Sequence, residues 1–375
     1  MAETIKVGII GAGWPGAAHA RGFQSAGGYK LIGVADLIPE RRAKFMAEFG
    51  GGGASGAGDA RASSATGAAR PIGAGKPSGA IREFASADDL LADKEIAAVS
   101  VCVPNDLHAK IVVAALRAGK HVICESPPAI SATEAKRMQT AAKRYARVLL
   151  FAMQRRFGGH EQAARQAIVK GYAGEVFHAR ASWTRTRAIP AGTGWYTDKS
   201  KSGGGVMMDL GLHMLDLAWS LLGEPKLLSA SAVAHHRFGA AAAGDRIFDV
   251  EDSAMALLKF DGGKTLELSA AWAINQPPAQ NGAICRVYGD KGAIEVYTPQ
   301  GAMLYRDFQP NGDAKATALK PPKMIHHTAM MRHFRQCIIA GETPEIGGEQ
   351  AIQLMGMMGA IYKSVGKGKI GAKAN

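Results

Sequence analysis

The run Ile5-Lys-Val-Gly-Ile-Ile10 stops at Gly11-Ala12-Gly13-Trp14-Pro15-Gly16, and a helical stretch from Ala17 to about Ala26 follows. A buried strand, a glycine turn and a helix in that order leave few folds open, because such a strand needs parallel neighbours covered on both faces. The next strand, Lys30 to Ala35, ends in Asp36, and Pro39 suits the first turn of another helix reaching Phe49. Asp36 stands 20 residues after Gly16, the spacing of a dinucleotide fingerprint. Gly11 then permits the tight turn, Gly13 lets a pyrophosphate reach the backbone, and Gly16 lets helix and strand approach. Trp14 and Pro15 complete the loop at the helix N-terminus that faces the anion. Asp36 would accept bonds from ribose hydroxyls and repel a 2′-phosphate, favouring NAD over NADP, with Arg41 and Arg42 contesting that preference.

The chain has 375 residues, enough for about two domains. Alternating helices and strands continue to a strand at Val148 to Met153, about six strands in all, which predicts a doubly wound Rossmann domain over residues 1–153. The stretch 50–80 interrupts it with 10 Gly and 9 Ala in 31 positions, read as an insertion that cannot offset its ordering entropy by burial. Beyond 153, alternating segments near 175–187, 227–238, 247–260 and 264–274 predict a second α/β domain, 154–375, with a large, mostly antiparallel open sheet. A helix from Val206 to Leu222 is embedded in it, and C-terminal helices near 327–340 and 349–365 offer a surface to pack back on the first domain.

Lys and Arg exceed Asp and Glu by 13, but the basic pairs are scattered and no run forms a binding tract, so nucleic acid is not an expected partner. The four cysteines show no CxxC pair and no metal spacing, so no metal is expected. They read as buried thiols of a reducing compartment. No signal h-region opens the chain and no 18 consecutive residues are apolar, so the expected location is the cytoplasm, without membrane contact.

Three segments carry candidate chemistry. Pro104-Asn105-Asp-Leu-His108 ends a strand and opens a helix, where the crevice of such a sheet binds ligands. Asn105 and His108 are candidates for it, against the alternative that Asn105 or Asp106 caps the helix. Glu125-Ser126-Pro-Pro places a carboxylate at the end of the next strand, where it suits a nicotinamide ribose. After Gly203-Gly-Gly, Asp209 and His213 stand at i, i+4, on one face of a helix. Oxidation of an alcohol needs a group that takes the hydroxyl proton, and His213, oriented by Asp209, suits that role. Trp183, Arg185, Trp195 and Tyr196, with Arg155 and Arg156, would suit a polyhydroxylated ligand.

Taken together, the Gly11 to Gly16 turn, Pro104-Asn105 with Leu107-His108, Ala118-Gly-Lys-His-Val-Ile-Cys-Glu125, Arg155-Arg156-Phe157, Gly203-Gly-Gly with Asp209-Leu-Gly-Leu-His213, and Gly289-Asp-Lys-Gly292 resemble the Gfo/Idh/MocA family over nearly the whole chain. The resemblance implies an NAD(P) cofactor, sugar or polyol substrates, and homodimers or homotetramers built on the open sheet. It matches Asp209 and His213 to the family's acid and histidine, and Glu125 to the glutamate of its Glu-Lys-Pro motif. Ser126 stands where the family has lysine, and it could relay a proton but not supply the charge. Lys120, Lys199 and Lys201 are the lysines that could substitute. Three activities follow: an NAD-dependent oxidoreductase acting on a secondary hydroxyl of a sugar, polyol or derivative; redox-neutral glycoside cleavage or elimination with bound NAD; and a non-catalytic sensor, favoured by the lost lysine.

Overall fold

The computed structural model describes residues 4–50, 80–190, 194–323 and 326–367, so residues 51–79 of the Gly/Ala-rich stretch lie outside it. Its first sheet contains β1 (Ile5–Ile10), β2 (Tyr29–Ala35), β3 (Arg82–Phe84), β4 (Ala98–Val101), β5 (His121–Cys124) and β6 (Leu149–Phe151). Their order is β3-β2-β1-β4-β5-β6 and every pairing is parallel. The helices α1 (Trp14–Ala26), α2 (Pro39–Phe49), α3 (Ala87–Ala92), α4 (Asn105–Arg117) and α5 (Ala132–Arg144) alternate with them. Both faces are therefore covered, and β4 is buried along its whole length. Strand order reverses between β1 and β4, which opens a crevice at their carboxyl ends. The first helix starts at Trp14, earlier than expected, because Pro15 in its first turn forfeits no intrahelical bond. The short edge strand β3 has no apolar run to mark it.

The second sheet runs β14-β13-β12-β11-β7-β10-β9-β8. These strands are β7 (Val176–Thr184), β8 (Leu227–His235), β9 (Ser253–Phe260), β10 (Thr265–Ala271), β11 (Gly282–Gly289), β12 (Gly292–Thr298), β13 (Gly301–Arg306) and β14 (Lys315–Leu319). Only β7 and β10 pair in parallel; the remaining neighbours are antiparallel. Alternation on β9 turns Ala254, Ala256 and Leu258 inward and Met255 and Leu257 outward. The connecting helices are α6 (Gly159–Val169), α7 (Lys199–Ser202), α8 (Leu212–Leu221), α9 (Gly239–Ala243), α10 (His326–Ala340) and α11 (Gly348–Lys367). α6 and α8 cover the inner face. The last two helices return to the first domain, α10 lying on α1 and α11 bridging α5 and β8. Among the described residues no helix is long and apolar enough to cross a membrane.

One element departs from its expected form. The stretch from Val206 is not α-helical throughout: Met207–Gly211 is a π-helical turn, and α8 begins only at Leu212. Such a turn widens the helix and re-aims its side chains.

Candidate active site

At the β1–α1 turn Gly11 has φ +98°, and a Cβ there would lie 2.1 Å from the Cys102 carbonyl oxygen. A Cβ on Gly16 would lie 2.0 Å from the Gly11 oxygen, so both glycines are dictated by the protein itself. Gly13 is different: the nearest atom to its Cβ would be Pro15 Cδ at 3.6 Å, leaving the space above its backbone open. Asp36 fastens the rim, its Oδ2 accepting the Ala12 N–H at 2.8 Å and its Oδ1 the Ile38 N–H at 2.9 Å. Trp14 is 68% exposed beside them. No side chain caps α1, so its first N–H groups face the loop as anion donors. This cradle fits a dinucleotide.

At the edge of β4, Pro104 occupies the N-cap of α4 without a side-chain cap bond. Asn105 does not cap either; its buried amide donates to the Ser202 carbonyl at 2.8 Å and joins α4 to α7. His108 is engaged by the protein's own backbone. Fully buried, its two ring nitrogens lie 2.9 Å from the Pro127 and Val103 carbonyls, and it fixes the turn after β5.

Glu125 directly follows β5 and is buried. Its Oε2 accepts the Ser126 N–H at 2.6 Å, and its Oε1 lies 3.2 Å from His19 Nε2. Burial alone would raise its pKa, but bonding to and charge from His19, with the Ser126 amide, hold it down to about 2. On His19 burial is likewise outweighed, by Cys102 and Glu125, and the imidazole is pushed up to about 10. The two therefore form a buried ion pair. His327 of α10 completes a trio whose donor atoms lie within 4.8 Å of one another, the spacing of a three-ligand metal site.

Ser126 Oγ is 3.2 Å from His213 Nε2 and 3.2 Å from Glu125 Oε2, and thus sits between a carboxylate and an imidazole. His213 Nδ1 is buried with no hydrogen-bond partner among the described residues. Burial, then the Arg155 charge, push His213 down to about 4. The expected orientation of His213 by Asp209 is not seen. Asp209 lies in the π-helical turn, where i and i+4 no longer stack, and its Oδ2 instead accepts the Trp272 indole N–H at 2.7 Å. Burial raises the Asp209 pKa, against that bond and the Arg185 charge. Both residues still line one pocket, with Asn105, Ser126, Tyr196 and Met208. The glycine triplet makes its wall possible, since a Cβ on Gly205 would lie 2.1 Å from the Glu251 oxygen. The Glu251 carboxylate accepts the Gly205 and Met207 N–H groups and the Tyr362 hydroxyl of α11.

The aromatic and basic candidates separate. Tyr196 lines the pocket, and Trp195 stacks on it at a ring distance of 4.1 Å without lining it. The Trp183 ring is 6.3 Å from that of His213, and Arg155 lies 4.1 Å over its face. Arg156 is not a ligand residue. Turned into the second domain, it meets the buried Asp216 carboxylate through Nε at 2.9 Å and Nη2 at 2.6 Å, and also pairs with Glu224. Lys120 donates to the Asp93 and Ile96 carbonyls and Lys201 pairs with Asp198, so neither presents its ammonium at Ser126. Lys199 is exposed on α7 and does not line the pocket.

Sequence reasoning missed His19, Trp272 and His327. His19 follows Gly16 by three residues on the buried face of α1, a usable signal; Trp272 and His327 reach the site only through tertiary packing. Replacing His19 by alanine leaves the Glu125 charge buried without its partner, and we expect a loss of about 3–5 kcal/mol in denaturant unfolding. A loss below about 1 kcal/mol would show that the Ser126 amide alone holds the carboxylate.

Residues 5–153 match the oxidoreductase family model for an NAD-binding Rossmann fold, and residues 162–295 match the GFO/IDH/MocA C-terminal domain. The chain belongs to the Gfo/Idh/MocA family. It is 29% identical over 282 residues to D-glucoside 3-dehydrogenase of Escherichia coli, covering 72% of this chain and 77% of that one. With inositol 2-dehydrogenase of Rhizobium meliloti it shares 28% over 334 residues, 88% and 84% of the two chains. Among solved structures, aldose-aldose oxidoreductase from Caulobacter crescentus with glycerol superposes with TM-score 0.77 at 24% identity, covering 98% of both chains. Levoglucosan dehydrogenase with NADH and L-sorbose does so with TM-score 0.79 at 20% identity, covering 97% of both. The chain is thus an oxidoreductase-family protein of the sugar and polyol dehydrogenase type, with an NAD-binding domain.

Proposed function

We propose that this protein oxidises a secondary hydroxyl of a sugar, polyol or sugar derivative with NAD, using His213 as general base. The observation that carries this reading is the His213–Ser126 contact, in a pocket shared with Asp209 at the carboxyl edge of the nucleotide-binding sheet. The relatives that act on glucosides and inositol support the substrate class. Bound NAD supplies the hydride acceptor. The protein's part is the proton. With its pKa held near 4, His213 is neutral at physiological pH, and its Nε2 lone pair is available to a substrate hydroxyl directly or through Ser126. Ser126 can take a proton from substrate as it passes its own to His213. Asp209, anchored by Trp272, is left to bind a substrate hydroxyl.

The pH dependence follows from the sign of the shift. A depressed imidazole pKa keeps the base form down to about 4, so kcat/KM for oxidation is expected to keep its value through 6.5, where free imidazole titrates, and to fall only toward 4. An acid limb centred near 6.5 would assign the proton elsewhere.

Asp36 supports NAD over NADP, since a 2′-phosphate would meet its carboxylate. Asp36→Ala is expected to raise the NADP-to-NAD ratio of kcat/KM by about tenfold, roughly 1.4 kcal/mol of relieved repulsion. An unchanged ratio would place the discrimination at another residue.

One observation favours a sensor instead: no described lysine stands at Ser126. Retention of His213 and Asp209 around one pocket weighs for turnover. Formation of NADH by the native protein separates the two readings.

A further inference from the structure

Two arginines beside His213 have no carboxylate within ion-pair distance among the described residues. Arg155, just beyond β6, places its guanidinium 4.1 Å from the Trp183 ring centre and 5.0 Å from that of Tyr297. Arg185, just beyond β7, lies 5.1 Å from the same indole, whose ring centre is 6.3 Å from His213. Both are half-buried. Arg156, Arg165, Arg180 and Arg286 of this domain are paired, with Asp216, Glu345, Glu267 and Glu295, whereas Arg187 and Arg306 lie over Phe238 and Tyr172 with no ion-pair partner among the described residues and stand away from His213.

The local partners of the two leave their charge largely uncompensated. Arg155 bonds the Tyr297 hydroxyl, whose proton goes to Glu161, and that carboxylate is already met by His326. Arg185 feels Asp209, but that carboxylate is anchored to Trp272. Aromatic faces hold the guanidinium planes and leave their N–H edges available as donors. A neutral polyol needs no such excess of positive charge, which also weakens a neighbouring base. An anionic substrate group met by these guanidiniums, which flank the pocket through Trp183 and do not line it, would be bound by charge-assisted bonds and would offset that field.

We infer that Arg155 and Arg185 form an anion subsite, and that the substrate is a sugar carrying a carboxylate or phosphate group. The inference rests on the oxidoreductase reading and names its substrate class.

The test compares the NAD-loaded enzyme on glucuronate, glucose 6-phosphate and methyl glucoside, with Arg155→Met and Arg185→Met replacing each guanidinium by an unbranched apolar side chain. One of the anionic sugars is expected to exceed the neutral glucoside in kcat/KM by at least about tenfold. Which one does so identifies the group. In each variant the anionic-to-neutral ratio is expected to fall about 10- to 100-fold through KM, with partial recovery in Arg155→Lys. Equal turnover of charged and neutral sugars, or a ratio unmoved in both variants, overturns the inference. If none of the sugars yields NADH, the oxidoreductase reading is what fails, and calorimetry on the NADH-loaded protein then decides the subsite. Tighter binding of an anionic sugar than of methyl glucoside, lost in both variants, supports it; equal binding refutes it.

Discussion

His213→Ala is expected to lower kcat by about 10²- to 10⁴-fold, the usual contribution of a positioned general base. Its Nε2 faces the Ser126 hydroxyl, and no other imidazole lines the pocket. Affinity for NADH, read by fluorescence titration, should stay within a fewfold, because the nucleotide cradle at Gly11 to Gly16 and Asp36 belongs to the first sheet and its helices whereas His213 is carried by α8 of the second domain. Loss of turnover with retained NADH affinity separates a proton-transfer role from a structural one. Turnover within a fewfold of native would remove His213 from the reaction and leave Asp209 as the remaining candidate.

The second large effect concerns stability. Arg156→Ala strands the Asp216 carboxylate, which is 0% exposed and takes three hydrogen bonds from that guanidinium. Removing one partner of a buried pair commonly costs about 3–5 kcal/mol, because the other charge is left uncompensated. The loss should appear as a lower denaturant midpoint. A double variant, Arg156→Met with Asp216→Leu, is expected to recover much of it, since an apolar pair of similar volume avoids the stranded charge. If the single substitution is nearly neutral, the pair has water access that its burial does not suggest.

These two arginine neighbours show where sequence reading stops. Arg155 and Arg156 are adjacent and chemically identical, and both read as ligand residues. The short 3₁₀ turn at Gln154–Phe157 sends one toward Trp183 and the other into the core, a difference of backbone direction that no composition or spacing encodes. The nucleotide loop was legible because its spacing is local in the chain: Gly11 at φ +98° and Gly16 against the Gly11 oxygen lie within one βα turn and Asp36 at the end of the next strand, although the Cys102 carbonyl that also excludes a Cβ at Gly11 comes from beyond β4. The two-sheet architecture was legible from the change of periodicity after β6. The relation of Asp209 to His213 was misread because an i, i+4 argument assumes α-helical winding, and the π-helical turn breaks that assumption. The backbone bonds of His108 are hidden from the sequence for another reason: its carbonyl partners at Val103 and Pro127 become visible only when the loops after β4 and β5 are brought together.

Ser126 carries the central question, whether a hydroxyl linking Glu125 and His213 sustains oxidation where the resemblance called for lysine. The most direct measurement incubates the purified protein with NAD and a panel of neutral and anionic sugars and glycosides, following NADH and products together, beside Ser126→Lys. NADH formed by the native protein in step with oxidised sugar is the predicted result. Glycoside cleavage without NADH, or silence from the native protein with activity gained by Ser126→Lys, would contradict it.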